Sequence, residues 1–353
     1  MSAPTIYRWD DPGAPNIAAL LPTSSDVGKL WFHTILKACL VDGYAGKAAA
    51  GWTMPHEELA ANGTRFVLEN GPKTGALLFE QGFFSGGSTD MNVDTFWACR
   101  DVVDMDSPVA AFSNEREYSM RNDTAEATRF HKSSISYFGS GARKNHWICV
   151  ANENTAILIS FRSEASLDRG SSSFAASDDC RLYVGCAHNS VGAGTVASPD
   201  AGNFFVGGLD NNTASYSNIG SNSYWHKGIV SSVVGITGLL KEGRHEYSAS
   251  TALAYMATAQ ALNAWLPVPM DCFHSGDSSP AGSASTDLYH LCSLVGLRDS
   301  RFLPKTIAAA NEWMIAQNFQ YGQAVDIGGV DYLIFKGKNR MLISINLSAG
   351  EWG

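Results

Sequence analysis

Two short units in this chain hold residues that bind soft metals: Cys186-Ala187-His188 and Cys272-Phe273-His274. Thiolate and imidazole both suit zinc, and two such units would supply the ligands of a tetrahedral site. The spacing alone is a weak signal, because residues i and i+2 share a face on any strand. Neither unit has the close Cys-x2-Cys pair that anchors a zinc ribbon. The spacing reads as chance, with no metal and no cofactor expected. The cysteines number seven: Cys39, Cys99, Cys149, Cys180, Cys186, Cys272 and Cys292. The number is odd and their contexts are apolar, so they read as reduced thiols acting as small hydrophobes.

Carboxylates cluster at Asp10-Asp11, at Asp104 and Asp106, and at Asp178-Asp179. Hydrolysis of a glycan needs two carboxyls about 5–10 Å apart across a cleft. Local pairs such as these read instead as turn-making and helix-capping Asp. The chain lacks a Gly-x-Ser-x-Gly elbow, a His-Glu-x-x-His helix and a phosphate loop. Gly192-Ala193-Gly194 is a fragment of a dinucleotide fingerprint and reads as a turn. No catalytic residue is expected. Most aromatics fall in expected strands, where core packing is the default. Tyr7 and Trp9 lie in a Pro-containing opening segment, and Tyr216, Tyr224 and Trp225 lie in a polar stretch over 210–228. These five are the candidates for an assembly or contact surface.

The elements that must position these residues follow from composition. Gly is abundant, and Ser and Asn crowd several loops, while Glu and Lys are scarce. That mix favours strands and turns. The expected fold is mainly β, built of antiparallel hairpins with one N-terminal helix, a β-rich α+β class. Residues are 45% hydrophobic, enough for a sizeable core, and only 17% charged, which suits a surface assembled against neighbours. The net charge is −9 with no Lys/Arg-rich run, so the basic footprint of a nucleic-acid binder is missing. No signal-peptide pattern opens the chain. No apolar run approaches the ~20 residues of a membrane span.

Residues 1–22 read as an extended arm, docked either on its own body or on a neighbour. Residues 23–353 read as the β-rich body, with the Ser/Gly/Asn-rich stretch 165–225 as a candidate division. Leu30, Trp31, Ile35, Leu36, Cys39 and Leu40 recur at helical spacing, and Asp42-Gly43 stops the helix. Gly46 and Gly51 then bracket a loop of small residues expected to pack tightly beneath Trp52. Residues 65–69 and 76–80 read as a hairpin around Gly71–Gly75, and 95–100 as a further strand. Residues 147–151 and 156–161 form the clearest hairpin, with apolar runs that imply cover on both faces. Residues 181–185 and 203–207 read as strands paired across the connection 187–202. A second helix is a candidate over 249–265, where Leu253, Met256, Ala257 and Ala261 share a face. Residues 267–286, with three prolines, read as loop. The chain closes on a hairpin from Tyr332 to Leu347 with a basic Gly turn.

One stretch is similar to a known family. Cys39-Leu40-Val41-Asp42-Gly43-Tyr44-Ala45-Gly46-Lys47-Ala48-Ala49-Ala50-Gly51-Trp52-Thr53 resembles the "CLVDGYGxKxAAGWT" signature of a family of tail-associated virion structural proteins of tailed bacteriophages. The opening Ile6–Pro15 and the closing hairpin Tyr332–Leu347 resemble the family loosely. The resemblance implies a particle component and does not fix its position. Taken with the low charge, the β bias and the lack of catalytic motifs, the expectation is a non-enzymatic virion component, assembled in the host bacterial cytoplasm and placed at the tail tip or baseplate or at the neck or collar. It implies other copies of the chain and other phage structural proteins as partners. Two alternatives stay open: a tail adhesin contacting a host receptor or glycan, and a tail-associated cell-wall hydrolase.

Overall fold

The computed structural model describes residues 3–16, 28–60, 63–81, 94–99, 146–161, 180–186, 188–189, 204–209, 230–231, 268–275, 288–299, 322–336 and 342–352. Strands make up more than half of them, and every strand pair described is antiparallel. The β-rich α+β class read from composition is the observed one.

The strands form three sheets. The first is six-stranded, in the order β1 (Thr5–Arg8), β6 (His146–Ala151), β7 (Thr155–Phe161), β8 (Cys180–Cys186), β10 (Phe204–Leu209) and β11 (Val230–Ser231). The second runs β2 (Thr53–Ala60), β3 (Gly63–Glu69), β4 (Ala76–Gln81) and β5 (Asp94–Cys99). The third runs β12 (Val268–Ser275), β13 (Leu288–Asp299), β16 (Leu342–Asn346), β15 (Val330–Lys336) and β14 (Gln323–Ile327). The short β9 (His188–Asn189) pairs with β13. A final helical turn, α2 (Ala349–Trp352), follows β16.

Helix α1 (Gly28–Leu36) continues into a wider π-helical turn, Lys37–Asp42. Phe32, Ile35, Leu36, Cys39 and Leu40 follow the i, i+3, i+4, i+7, i+8 spacing of one helical face and are all buried. They lie between the first sheet, through Tyr7, Trp147, Cys149, Leu158, Leu182, Val184 and Phe204, and the second, through Phe66, Leu68, Leu77 and Phe79. Each large apolar side chain so buried contributes about 1.5–3 kcal/mol over an exposed one. The helix ends at Gly43 as its sequence predicts, but its last turn is π rather than α. The carbonyls of Cys39 and Leu40, orphaned at a helix end, accept from the Ala50 and Trp52 N–H groups, each at 3.0 Å.

β6 is buried along its whole length. Trp147, Cys149 and Ala151 join the helix core. The alternate residues Ile148 and Val150 take the other face by the two-residue period. Gly322, which leads into β14, approaches Ile148 there. The first sheet is therefore covered on both sides, as its unbroken apolar runs imply.

Two sequence readings need correction, and one strand, β2, has no counterpart among the expected elements. Residues 268–275 are not loop but the outer strand β12, held by pairing with β13 despite Pro269 and two register shifts. Residues 53–60 form β2, which its mixed polar sequence concealed. The small-residue loop packs only at its end: Ala50 lies partly buried against the core that holds Trp52, while Ala48 and Gly46 are exposed, with open space above Gly46. The candidate helix 249–265 lies outside the described residues, as does the turn 337–340.

Candidate functional site

The opening strand and the loop after the helix assemble one compact polar cluster. Asp11 sits at its centre. One oxygen of its carboxylate accepts from the Arg8 N–H at 2.7 Å and from the Tyr44 hydroxyl at 2.7 Å, and lies 2.6 Å from the Lys47 ammonium. Lys47 also donates to the Ile6 carbonyl, and the Tyr7 hydroxyl donates to the Ala48 carbonyl at 2.8 Å. Strand β1 is thus tied sideways to β6 by its ladder and edgewise to the 44–48 loop by side chains. The loop is set by a bridge between Tyr44 and Lys47 and by Gly43. Gly43 has φ 73° and ψ 177°, a conformation open almost only to glycine. A Cβ there would stand 2.7 Å from the Lys47 carbonyl oxygen.

A second chain of hydrogen bonds runs from the same segment across the core. The Trp52 indole donates to the Asn152 carbonyl at 2.8 Å. The Asn152 amide donates to the Trp352 carbonyl at 2.7 Å, and the Trp352 indole donates to the Asn346 carbonyl. Asn152 Oδ1 accepts from the Asn154 and Thr155 N–H groups, shaping the β6–β7 turn. That turn meets the β3–β4 turn, where the Gly71 N–H donates to the Glu153 carbonyl. Position 75 there is confined to glycine, because Phe204 occupies the space a side chain would fill.

The electrostatics point inward. Burial alone would raise the Asp11 carboxyl, but the hydrogen bonds from Lys47, Tyr44 and the Arg8 N–H outweigh it and hold its pKa below the usual value. Burial, then the Asp11 carboxylate, pushes the Tyr44 phenol well up, and burial does the same to Tyr7. Burial and the neighbouring Cys149 thiol raise Cys39, so it stays a thiol. A thiol kept protonated in an apolar site is inert rather than nucleophilic. Between the helix and β2, His33 contacts Glu57, whose carboxylate also takes Lys37 at 2.8 Å. Burial outweighs Glu57 and lowers the His33 pKa, so the ring is neutral near pH 7. The cluster can position backbone and neutralise charge. Its phenols and thiols are not activated toward a substrate.

The contact candidates divide. Tyr7 is fully buried in the core, which corrects its reading as a contact residue: its alternation with Arg8 turned it inward once β1 paired with β6. Trp9 is half-buried and stacks on His146 with centroids 3.7 Å apart. Tyr216, Tyr224 and Trp225 lie outside the described residues. Cys186 is buried, with Thr74 and Asn70 contacting its sulfur at 3.1 and 3.3 Å. His188 lies on β9, and Cys272 and His274 on β12. Asp10 pairs with Arg8, while Asp104, Asp106, Asp178 and Asp179 lie outside the described residues. Sequence reasoning missed Asp11, Tyr44 and Lys47 as partners, and missed Asn152 and Trp352. The Asn in a tight turn and the solitary Trp of the tail were the available signals. Among the described residues no group of three His, Cys, Asp or Glu could hold a metal ion, and no helix is long and apolar enough to cross a membrane.

Fold and cluster together define a β-rich protein with a helix held between two antiparallel sheets. Compared with known proteins, the chain matches no family model, no curated protein and no solved structure.

Proposed function

We propose that this chain is a non-enzymatic structural component of a tailed bacteriophage particle, present in several copies at the tail tip or baseplate or at the neck or collar. The observation that carries the reading is the resemblance over Cys39–Thr53, together with the use these residues have here. Cys39, Leu40 and Trp52 are core, Gly43 turns the chain, and Tyr44 and Lys47 hold Asp11. A catalytic motif presents reactive groups to a substrate. This one binds its own chain, as a scaffold motif does.

Its partners would be other copies of itself and other phage structural proteins, met through β-rich surfaces, with no direct nucleic-acid contact. Its place would be the virion. The outer strands differ in what they offer. β2 carries Pro55, Glu57 and Glu58, which blunt edge pairing. On β14, Gln323 and Ala324 are exposed and Asp326 is the single charged residue. The adhesin alternative rests on Tyr216, Tyr224 and Trp225, outside the described residues, and no observation here favours it or the hydrolase.

The test is a gradient separation of intact particles made by the genome that encodes this chain, followed by quantitative mass spectrometry. The chain should sediment with particles at a fixed ratio to the other particle proteins. Recovery only in the soluble lysate would reject the proposal. Host-cell binding by the purified chain would favour the adhesin, and clearing of cell-wall substrate the hydrolase.

A further inference from the structure

We propose that Cys272 and Cys292 are a cross-strand thiol pair that closes to a disulfide when the protein meets an oxidising environment. The juxtaposition comes from backbone register. β12 and β13 run antiparallel, and Cys272 stands directly opposite Cys292. Directly opposed residues in such a ladder have Cα atoms about 4.5–5.5 Å apart, inside the ~4.4–6.8 Å that disulfides span. No other cysteine in the described ladders faces a cysteine. Cys149 stands opposite Tyr7 and Leu158, Cys186 opposite Phe204, Cys99 opposite Ala76 and Cys180 opposite Ser160.

The position gives the bond a purpose. β12 is the outer strand of its sheet among the described strands, and its register shifts between Cys272 and Phe273. A bulge interrupts the ladder and leaves the strand less firmly held. A covalent tie at that point pins the edge to β13, the strand that β9 and β16 also join. Cys186 of the other Cys-x-His unit takes no part, because its sulfur is enclosed by Asn70 and Thr74.

The step is thiol–disulfide exchange. One protein thiol loses its proton and attacks an external disulfide, forming a mixed disulfide and releasing one small thiol. The second protein thiolate attacks that mixed bond, forming Cys272–Cys292 and releasing the other small thiol. The two electrons and two protons of the protein dithiol end on the external disulfide, now two thiols.

The full chain, purified under reducing conditions, is incubated with oxidised glutathione, alkylated in denaturant, digested without reduction and mapped by mass spectrometry. The expected product is one linkage joining the Cys272 and Cys292 peptides, with the buried Cys39, Cys149 and Cys186 recovered as alkylated thiols. Cys292→Ser should leave Cys272 as a glutathione mixed disulfide. Recovery of both as alkylated thiols once the glutathione exchange has reached equilibrium would overturn the proposal, as would a linkage from either to a different cysteine. One zinc per chain in the isolated protein, lost in Cys272→Ser, would overturn it in favour of a metal site. The mapping of the parent chain needs no variant to fold.

Discussion

The Asp11 carboxylate and the Lys47 ammonium lie 2.6 Å apart, bridging the end of the first strand to the loop after the helix. Both are mostly shielded, with 14% and 26% of their side chains exposed. The pair closes the cluster that also takes Tyr44 and the Arg8 N–H. Asp11→Ala would take the acceptor of the Tyr44 hydroxyl and one partner each from Lys47, which keeps the Ile6 carbonyl, and from the Arg8 N–H, which keeps the Tyr44 hydroxyl. It should cost about 2 kcal/mol, since each unsatisfied shielded group carries a desolvation penalty. Urea denaturation measures it, and an unchanged midpoint would show that β1 is held by its ladder alone.

Acid should weaken the same contact. The folded-state pKa of Asp11 lies below its ordinary 3.8. Its stabilisation is therefore complete above that value and is lost as pH falls through the lower, folded-state pKa. Denaturation curves between pH 6 and the acid limit should show a steeper loss in the parent than in Asp11→Asn. Parallel acid limbs would mean that the carboxylate is not held by these partners.

His33 titrates in the same direction for a different reason. Burial lowers its folded-state pKa below 6.5, so the unfolded chain takes up the proton first. Stability should fall as pH drops below about 6.5, before the carboxylates respond. Nuclear magnetic resonance of the ring should find it titrating below the usual 6.5. A ring already protonated at pH 7 would show that Glu57 dominates over burial.

Gly43 and Gly46 make a matched pair for backbone strain. Gly43→Ala places a methyl against the Lys47 carbonyl in a glycine-only conformation and should cost about 2–3 kcal/mol. Gly46 has positive φ but open space, so Gly46→Ala should cost about 1 kcal/mol. Equal thermal midpoints for the two variants would contradict this geometry.

Asn152 joins three parts of the chain and is 4% exposed. Asn152→Ala strips the partners of the Trp352 carbonyl and of the Asn154 and Thr155 N–H groups. It should cost about 2–4 kcal/mol. Near-ultraviolet circular dichroism should report the loosening through Trp52 and Trp352. A spectrum and midpoint equal to the parent's would remove Asn152 from its central place.

Local structure was legible in the sequence, and long-range pairing was not. The turns at 71–75 and 152–155 announce their hairpins because Gly, Pro and Asn fix backbone locally. The helical face was readable from its period, although the buried Phe32 was not picked out. β2 escaped notice because an edge strand with Pro55, Glu57 and Glu58 alternates weakly. β12 looked like loop because Pro269 and its bulges break the pattern that its partner restores. β13, with twelve residues, pairs with β12 just before it and also with β9 and β16, which lie far off in the chain. The cluster joins Asp11 to residues more than thirty positions away, and no periodicity reports such a meeting.

A three-dimensional reconstruction of the particle made by the genome encoding this chain tests the central claim most directly. The account predicts density that accepts the helix between its two sheets, repeated about a closed rotational axis with copies in contact. Particles whose every ring, collar and tail feature is filled by other proteins, with this chain nowhere in the density, would contradict it.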